Sequence, residues 1–198
     1  VFTTASESFS KKNTNCNIEE SLDRIKSILH IAKSENISVR GYISCVLGCP
    51  YEGKVNFEKI ANLSEKLINL GCYEISLGDT VGYGTPNKVT KLIKEVKKKL
   101  DVSQIAVHFH DTYGQALANI YSALQLGVKN IDSSVGGLGG CPYAKGAKGN
   151  VASEDVVYML NGMGIKTGLD LKEIVKTAHF IHDFLKKPPS SRVALAMK

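Results

Sequence analysis

His108 and His110 stand two residues apart in the run QIAVHFHD (104–111). On a β-strand, residues i and i+2 face the same side, roughly 6.5–7 Å apart at the backbone. Two imidazoles so placed can converge on one metal ion when neighbouring loops add oxygen or nitrogen donors. The alternative is a pair of ordinary hydrogen-bonded histidines, and the pair alone leaves both readings open. Residues 136–150 read GGLGGCPYAKGAKGN, six glycines in fifteen. Such density permits left-handed backbone and close approach to a ligand, or serves a plain surface connection. The order is not that of a P-loop, and the acidic residue of a dinucleotide fingerprint is missing. Cys141 lies inside this loop, where an isolated cysteine is either a small hydrophobe or a reactive group. Asp79 can ligate metal, orient a histidine or cap a turn. Asn150 has the same choice between ligand and helix entry.

These residues fall at the ends of predicted strands. Alternating apolar positions predict strands over 37–46, 72–77, 104–109 and 128–135, and VFTT at the start reads as the end of another. Ser76 and Gly78-Asp79-Thr80, then His108–Asp111, then Asp132-Ser133-Ser134 follow one another at strand C-termini. That rim is where a parallel α/β fold builds its site. Helices are punctuated between the strands: Asn17 with Glu20 as a capping box, a stripe from Phe57 to Ile68 stopped at Gly71, and Thr85-Pro86 as cap and first turn. Further helices are predicted over Ala116–Leu126 and from Ser153 to near Gly162, and a final one from Asp170 through Leu185, closed by Pro188-Pro189. A strand recurs about every 25–36 residues, the period of βα units. Five such units fit a doubly wound sheet or part of an eight-stranded barrel, which takes about 250 residues when complete.

The 198 residues, 43% of them apolar, suffice for a single core without disulfides or a structural metal. No apolar run reaches a membrane span, and the first residues lack a signal-peptide layout, so neither a membrane partner nor secretion is expected. Five scattered cysteines fit a reducing compartment, with no zinc-finger pattern. The net charge of +6 gathers in lysine runs such as 94–99, which read as a solvated helix face. With Arg24, Arg40 and Arg192 the only arginines, no nucleic-acid partner is expected. An anionic small molecule suits the charge.

The segments RGYISCVLGCPYEGKV (40–55), YEISLGDTVGYGTP (73–86), AVHFHDTYGQALAN (106–119) and SSVGGLGGCPYAKGAKGNVASEDVVYML (133–160) closely resemble the hydroxymethylglutaryl-CoA lyase family. The His-x-His strand is shared with the wider superfamily of metal-dependent barrels that includes isopropylmalate and homocitrate synthases. The resemblance implies an α/β (β/α) TIM barrel using Mg²⁺ or Mn²⁺ to cleave 3-hydroxy-3-methylglutaryl-CoA into acetoacetate and acetyl-CoA. It implies metal ligation by His108, His110 and Asn150, catalysis by Cys141 with His108 and Asp79, and substrate binding by Tyr42, Ser76 and Glu154. It also implies a homodimer when full length, in the mitochondrial matrix of a eukaryote or the cytoplasm of a bacterium. The family's adjacent Arg-Asp pair, which supplies a further metal ligand, has no counterpart here. Residues 1–198 therefore resemble the C-terminal five βα units of a single barrel domain, without its N-terminal strands. Open sheet edges are expected to make such a chain aggregation-prone on its own. The other readings are a related acyl-CoA Claisen synthase, which calls for a different loop and an added regulatory domain, and a non-catalytic fragment.

Overall fold

Alternation sorts each strand into an apolar and a polar face. In the computed structural model, which describes residues 1–140 and 149–197, the strands are β1 (Phe2–Thr4), β2 (Val39–Ser44), β3 (Cys72–Asp79), β4 (Ile105–Phe109) and β5 (Asn130–Asp132). Ile43, Ile75, Leu77, Ile105, Val107 and Phe109 occupy alternate positions, are fully or almost fully buried, and form the main core with the helices. Arg40, Tyr42, Glu74, Ser76 and His108 take the intervening positions, so they share the opposite face. All pairings are parallel and the order is β1-β2-β3-β4-β5, without the reversal that defines a doubly wound sheet. The fold is thus α/β around a five-stranded parallel sheet.

The helices begin and end where the caps predict. The Asn17–Glu20 capping box opens α2 (Ile18–Ser34), Asn56 caps α3 (Phe57–Leu70), and Gly71 at φ 119° stops it. Pro86 is the first residue of α4 (Pro86–Val96), followed by α5 (Ala116–Gln125), α6 (Ser153–Gly162) and α7 (Leu171–Leu185), the last capped by Asp170. Two helices escape the sequence reading. The first, α1 (Glu7–Thr14), buries only Phe9 and Ser10 and so carries no apolar stripe; Ser6 caps it by accepting from the Phe9 amide. Beyond the Pro-Pro stop lies α8 (Arg192–Ala196), held because the Asp155 carboxylate accepts from the Ser191 hydroxyl and the Val193 amide.

Two strands are shorter than predicted. Ile37 is exposed, and β2 ends as Cys45 turns to φ 61° with its amide donating to the Thr80 hydroxyl. The end of β5 is set at Ser134, whose amide leaves the sheet ladder to reach the Val151 carbonyl. Among the described residues no helix is long and apolar enough to cross a membrane.

Candidate active site

The glycine-rich loop begins beyond β5, and the chain that follows it returns to the end of β4. The Asp111 amide donates to the Gly149 carbonyl (3.1 Å) and the Val151 amide to the Phe109 carbonyl (3.2 Å), which sets Asn150 opposite His110 in an antiparallel bridge. Asn150 Nδ2 donates to the Leu138 carbonyl (3.0 Å), leaving Oδ1 buried and without a donor among the described residues. His110 is buried, and its Nδ1 has no partner among the described residues either. Burial, helped by the nearby His108, lowers the His110 pKa to about 4, so the ring is neutral at pH 7. The His108 and His110 rings lie 5.5 Å apart, and the Tyr42 ring meets His108 edge-on at 6.3 Å.

One layer deeper on the polar face, charges interlock. Arg40 donates through Nη1 to Asp132 Oδ1 and to the Tyr42 hydroxyl, each at 2.7 Å, and through Nε to Glu74. Asn130 donates to Glu74 in turn. Ser76 donates to Asp132 Oδ2 (2.7 Å), and His108 Nδ1 lies 3.4 Å from that same oxygen. At 3.4 Å the approach falls short of a well-formed hydrogen bond, and Nδ1 has no other partner among the described residues. Burial raises the Asp132 pKa, but His108, Ser76 and Arg40 outweigh it and hold the group at about 2. Arg40 and Glu74 are absent from the sequence-derived site, and Asp132 stands there only as a polar strand end without a role. The available signal was parity: Arg40 with Tyr42, and Asp132 opposite His108 across the ladder, share the face of the histidine pair.

Asp79 and Glu154 sit elsewhere. Asp79 pairs with Phe109, on the face opposite His108, and its carboxylate accepts from the Tyr83 (3.0 Å) and Gly84 (2.7 Å) amides. This is turn capping, one of the three uses open to it, and it shapes the loop after β3. Glu154, fully buried in the first turn of α6, accepts from the Gly136 amide with both oxygens (2.8 and 3.1 Å) and so anchors the root of the glycine-rich loop. Cys141 lies outside the described residues. The structure therefore brings together Tyr42, Ser76, His108, His110 and Asn150, with Asp79 and Glu154 holding the adjoining loops.

Burial raises the Asp79 pKa from 3.8 to about 6, despite the amides and Lys88 pulling it down. The folded state then holds this proton more tightly than the unfolded chain. Its contribution to stability is complete below pH ~4 and is lost as the pH rises through ~6, on the order of 3 kcal/mol. Urea unfolding of the wild type and Asp79→Asn at pH 4 and pH 7 checks this. The wild type is expected to lose more stability than the variant over that interval; parallel losses would contradict it.

Among the described residues no group of three or more His, Cys, Asp or Glu side chains is arranged to hold a metal. Two imidazoles and one amide oxygen nevertheless stand together, and His110 Nδ1 and Asn150 Oδ1 are buried acceptor-capable atoms with no donor among the described residues. Buried polar atoms are rarely left so. Two imidazoles with an amide oxygen are a donor set that fits a divalent cation.

The chain matches the HMGL-like family over residues 1–181. It is 56% identical over 196 residues to the cytoplasmic 3-hydroxy-3-methylglutaryl-CoA lyase of Rattus norvegicus, covering 99% of this chain and 57% of that protein. It is also 56% identical over 196 residues to the mitochondrial hydroxymethylglutaryl-CoA lyase of Gallus gallus, covering 99% of this chain and 66% of that one. The crystal structure of hydroxymethylglutaryl-CoA lyase from Pseudomonas aeruginosa superposes with a TM-score of 0.97 at 53% identity, over 100% of this chain and 66% of that one. The chain thus spans 57–66% of the length of these relatives.

Proposed function

This chain belongs to the HMGL-like family, and we propose on that premise that residues 1–198 are the C-terminal five βα units of a (β/α)8 barrel that cleaves 3-hydroxy-3-methylglutaryl-CoA into acetoacetate and acetyl-CoA. The sequential parallel sheet and its superposition on part of the bacterial lyase support the barrel. The observation that carries the activity is the meeting of His108, His110 and Asn150 at one strand end, with partnerless acceptor atoms on His110 and Asn150.

In this reading those three residues hold Mg²⁺ or Mn²⁺. The ion supplies positive charge at the substrate's tertiary hydroxyl, an acid too weak to ionise unaided at neutral pH. Residues 1–198 contain no adjacent Arg-Asp pair, so the fourth ligand and the arginine belong to other barrel units. Cleavage transfers the hydroxyl proton to a base and breaks the bond between C2 and C3. The electron pair left on C2 forms the enolate of acetyl-CoA, and Cys141 delivers the proton that completes it. Tyr42 and Ser76 stand on the same face as His108, on the side of the sheet where the substrate would lie. Asp79 and Glu154 act through the backbone they hold: Asp79 caps the turn after β3, and Glu154 fixes Gly136 at the start of the glycine-rich segment.

The test is acetoacetate release from 3-hydroxy-3-methylglutaryl-CoA with Mg²⁺, in the barrel completed by the upstream units of a relative. Activity is expected to vanish with EDTA and to fall about 10²–10⁴-fold in Cys141→Ala, the range for losing a general acid. Release that survives EDTA, or condensation of acetyl-CoA with a keto acid in its place, would overturn the assignment.

A further inference from the structure

The carboxylate of Asp132 is fixed from two strands before it reaches His108. Arg40 on β2 binds Oδ1, Ser76 on β3 binds Oδ2, and Arg40 is itself tied to Glu74 and the Tyr42 hydroxyl. All of these groups stand on strands of one sheet, so the carboxylate has little freedom to swing. In register, Asp132 is the direct ladder partner of His108.

His108 Nδ1 is buried, lies 3.4 Å from Asp132 Oδ2, and has no other partner among the described residues. A neutral imidazole carries one N–H and one lone pair. A lone pair on Nδ1 would face a carboxylate lone pair, which is repulsive; an N–H there meets an acceptor. We infer that Asp132 is a positioning residue that holds the proton of His108 on Nδ1, leaving Nε2 as the lone-pair nitrogen of that ring. The Arg40–Asp132–Ser76 cluster then serves the histidine pair from behind, as carboxylates that accept the second N–H of a metal-bound histidine do. Ser76, which the substrate-binding assignment treats as a contact, has its hydroxyl proton committed to this carboxylate.

The inference rests on the reading of His108 as a cation ligand, and one part of its test does not. In the metal-free 198-residue chain at pH 8, ¹⁵N-histidine NMR reports which nitrogen of His108 is protonated, with the resonance assigned by its loss in His108→Gln. The expected result is Nδ1–H. In Asp132→Asn that preference is expected to weaken or reverse, because the amide can also donate to Nδ1, and Mn²⁺ affinity read by electron paramagnetic resonance is expected to fall 10–100-fold. An Nε2–H tautomer in the wild type overturns the inference whether or not the variant folds. So does an Asp132→Asn protein with unchanged tautomer and unchanged affinity. If the wild-type barrel completed by the upstream units of a relative binds no Mn²⁺, the cation reading fails, while the tautomer still decides the role of Asp132.

Discussion

Replacing His110 with alanine is expected to weaken Mn²⁺ binding by more than about 100-fold, beyond the 10–100-fold typical of losing a residue that merely supports a ligand. The expectation comes from what His110 does not do. Its Nδ1 is buried and has no hydrogen-bond partner among the described residues, a state that costs about 1–3 kcal/mol in a folded protein. Removing the ring abolishes that cost and offsets part of the cavity it leaves. The metal-free variant should therefore stay close to the wild type in thermal stability while its affinity for the ion collapses. A residue kept for packing behaves in the opposite way. Calorimetric titration with Mn²⁺ and a thermal melt of the metal-free protein, run side by side, separate the two. Binding within about threefold of wild type, or a melt lowered by many degrees with binding intact, would remove His110 from the proposed site.

The elements of this fold were readable because its signals are local. Caps such as Asn17 with Glu20, and the stop at Gly71, act within a few residues and need no knowledge of the rest of the chain. The strands announced themselves by alternation, and βα spacing pointed to parallel pairing while leaving a doubly wound or a sequential order open, which the ladders decide as sequential. What stayed hidden depends on distant pairing. Arg40 and Asp132 are ninety-two positions apart, and neither looks unusual in its own strand; only the ladder puts them in contact. The short α8 depends on Asp155 rather than on its own sequence, so a local reading stops at the two prolines. Asp79 shows what residue type leaves open. Its place at a strand end allowed metal ligation, orientation of a histidine or turn capping, and the ladder sets its carboxylate on the other face, where it accepts from the loop amides. Residue type at a rim is thus a weaker guide than residue type together with the face on which it stands.

Gly149 tests that argument at a point where the site depends on bare backbone. It takes φ +99°, and a Cβ there would overlap the Gly139 carbonyl and lie 2.8 Å from that of Gly137. Real Cβ contacts essentially never fall under 3.0 Å, and these neighbours are backbone that cannot rotate away. The same residue accepts from the Asp111 amide, while the next one, Asn150, donates its amide to Gly139 (3.0 Å). A methyl group would push this segment off the end of β4 and carry Asn150 away from His110. Gly149→Ala is therefore expected to cost about 3 kcal/mol or more, combining left-handed strain with overpacking, and to weaken Mn²⁺ binding in the same step. Gly162, at the end of α6, has ordinary φ and open space around its would-be Cβ, so Gly162→Ala should be neutral or stabilise by about 0.5–1 kcal/mol. Urea unfolding of both variants, with Mn²⁺ affinity measured on each, makes the comparison internal to one protein. If Gly149→Ala matched Gly162→Ala in stability and still bound the ion as the wild type does, the close backbone approach could not be what seats Asn150, and the site would have to be held by its side chains alone.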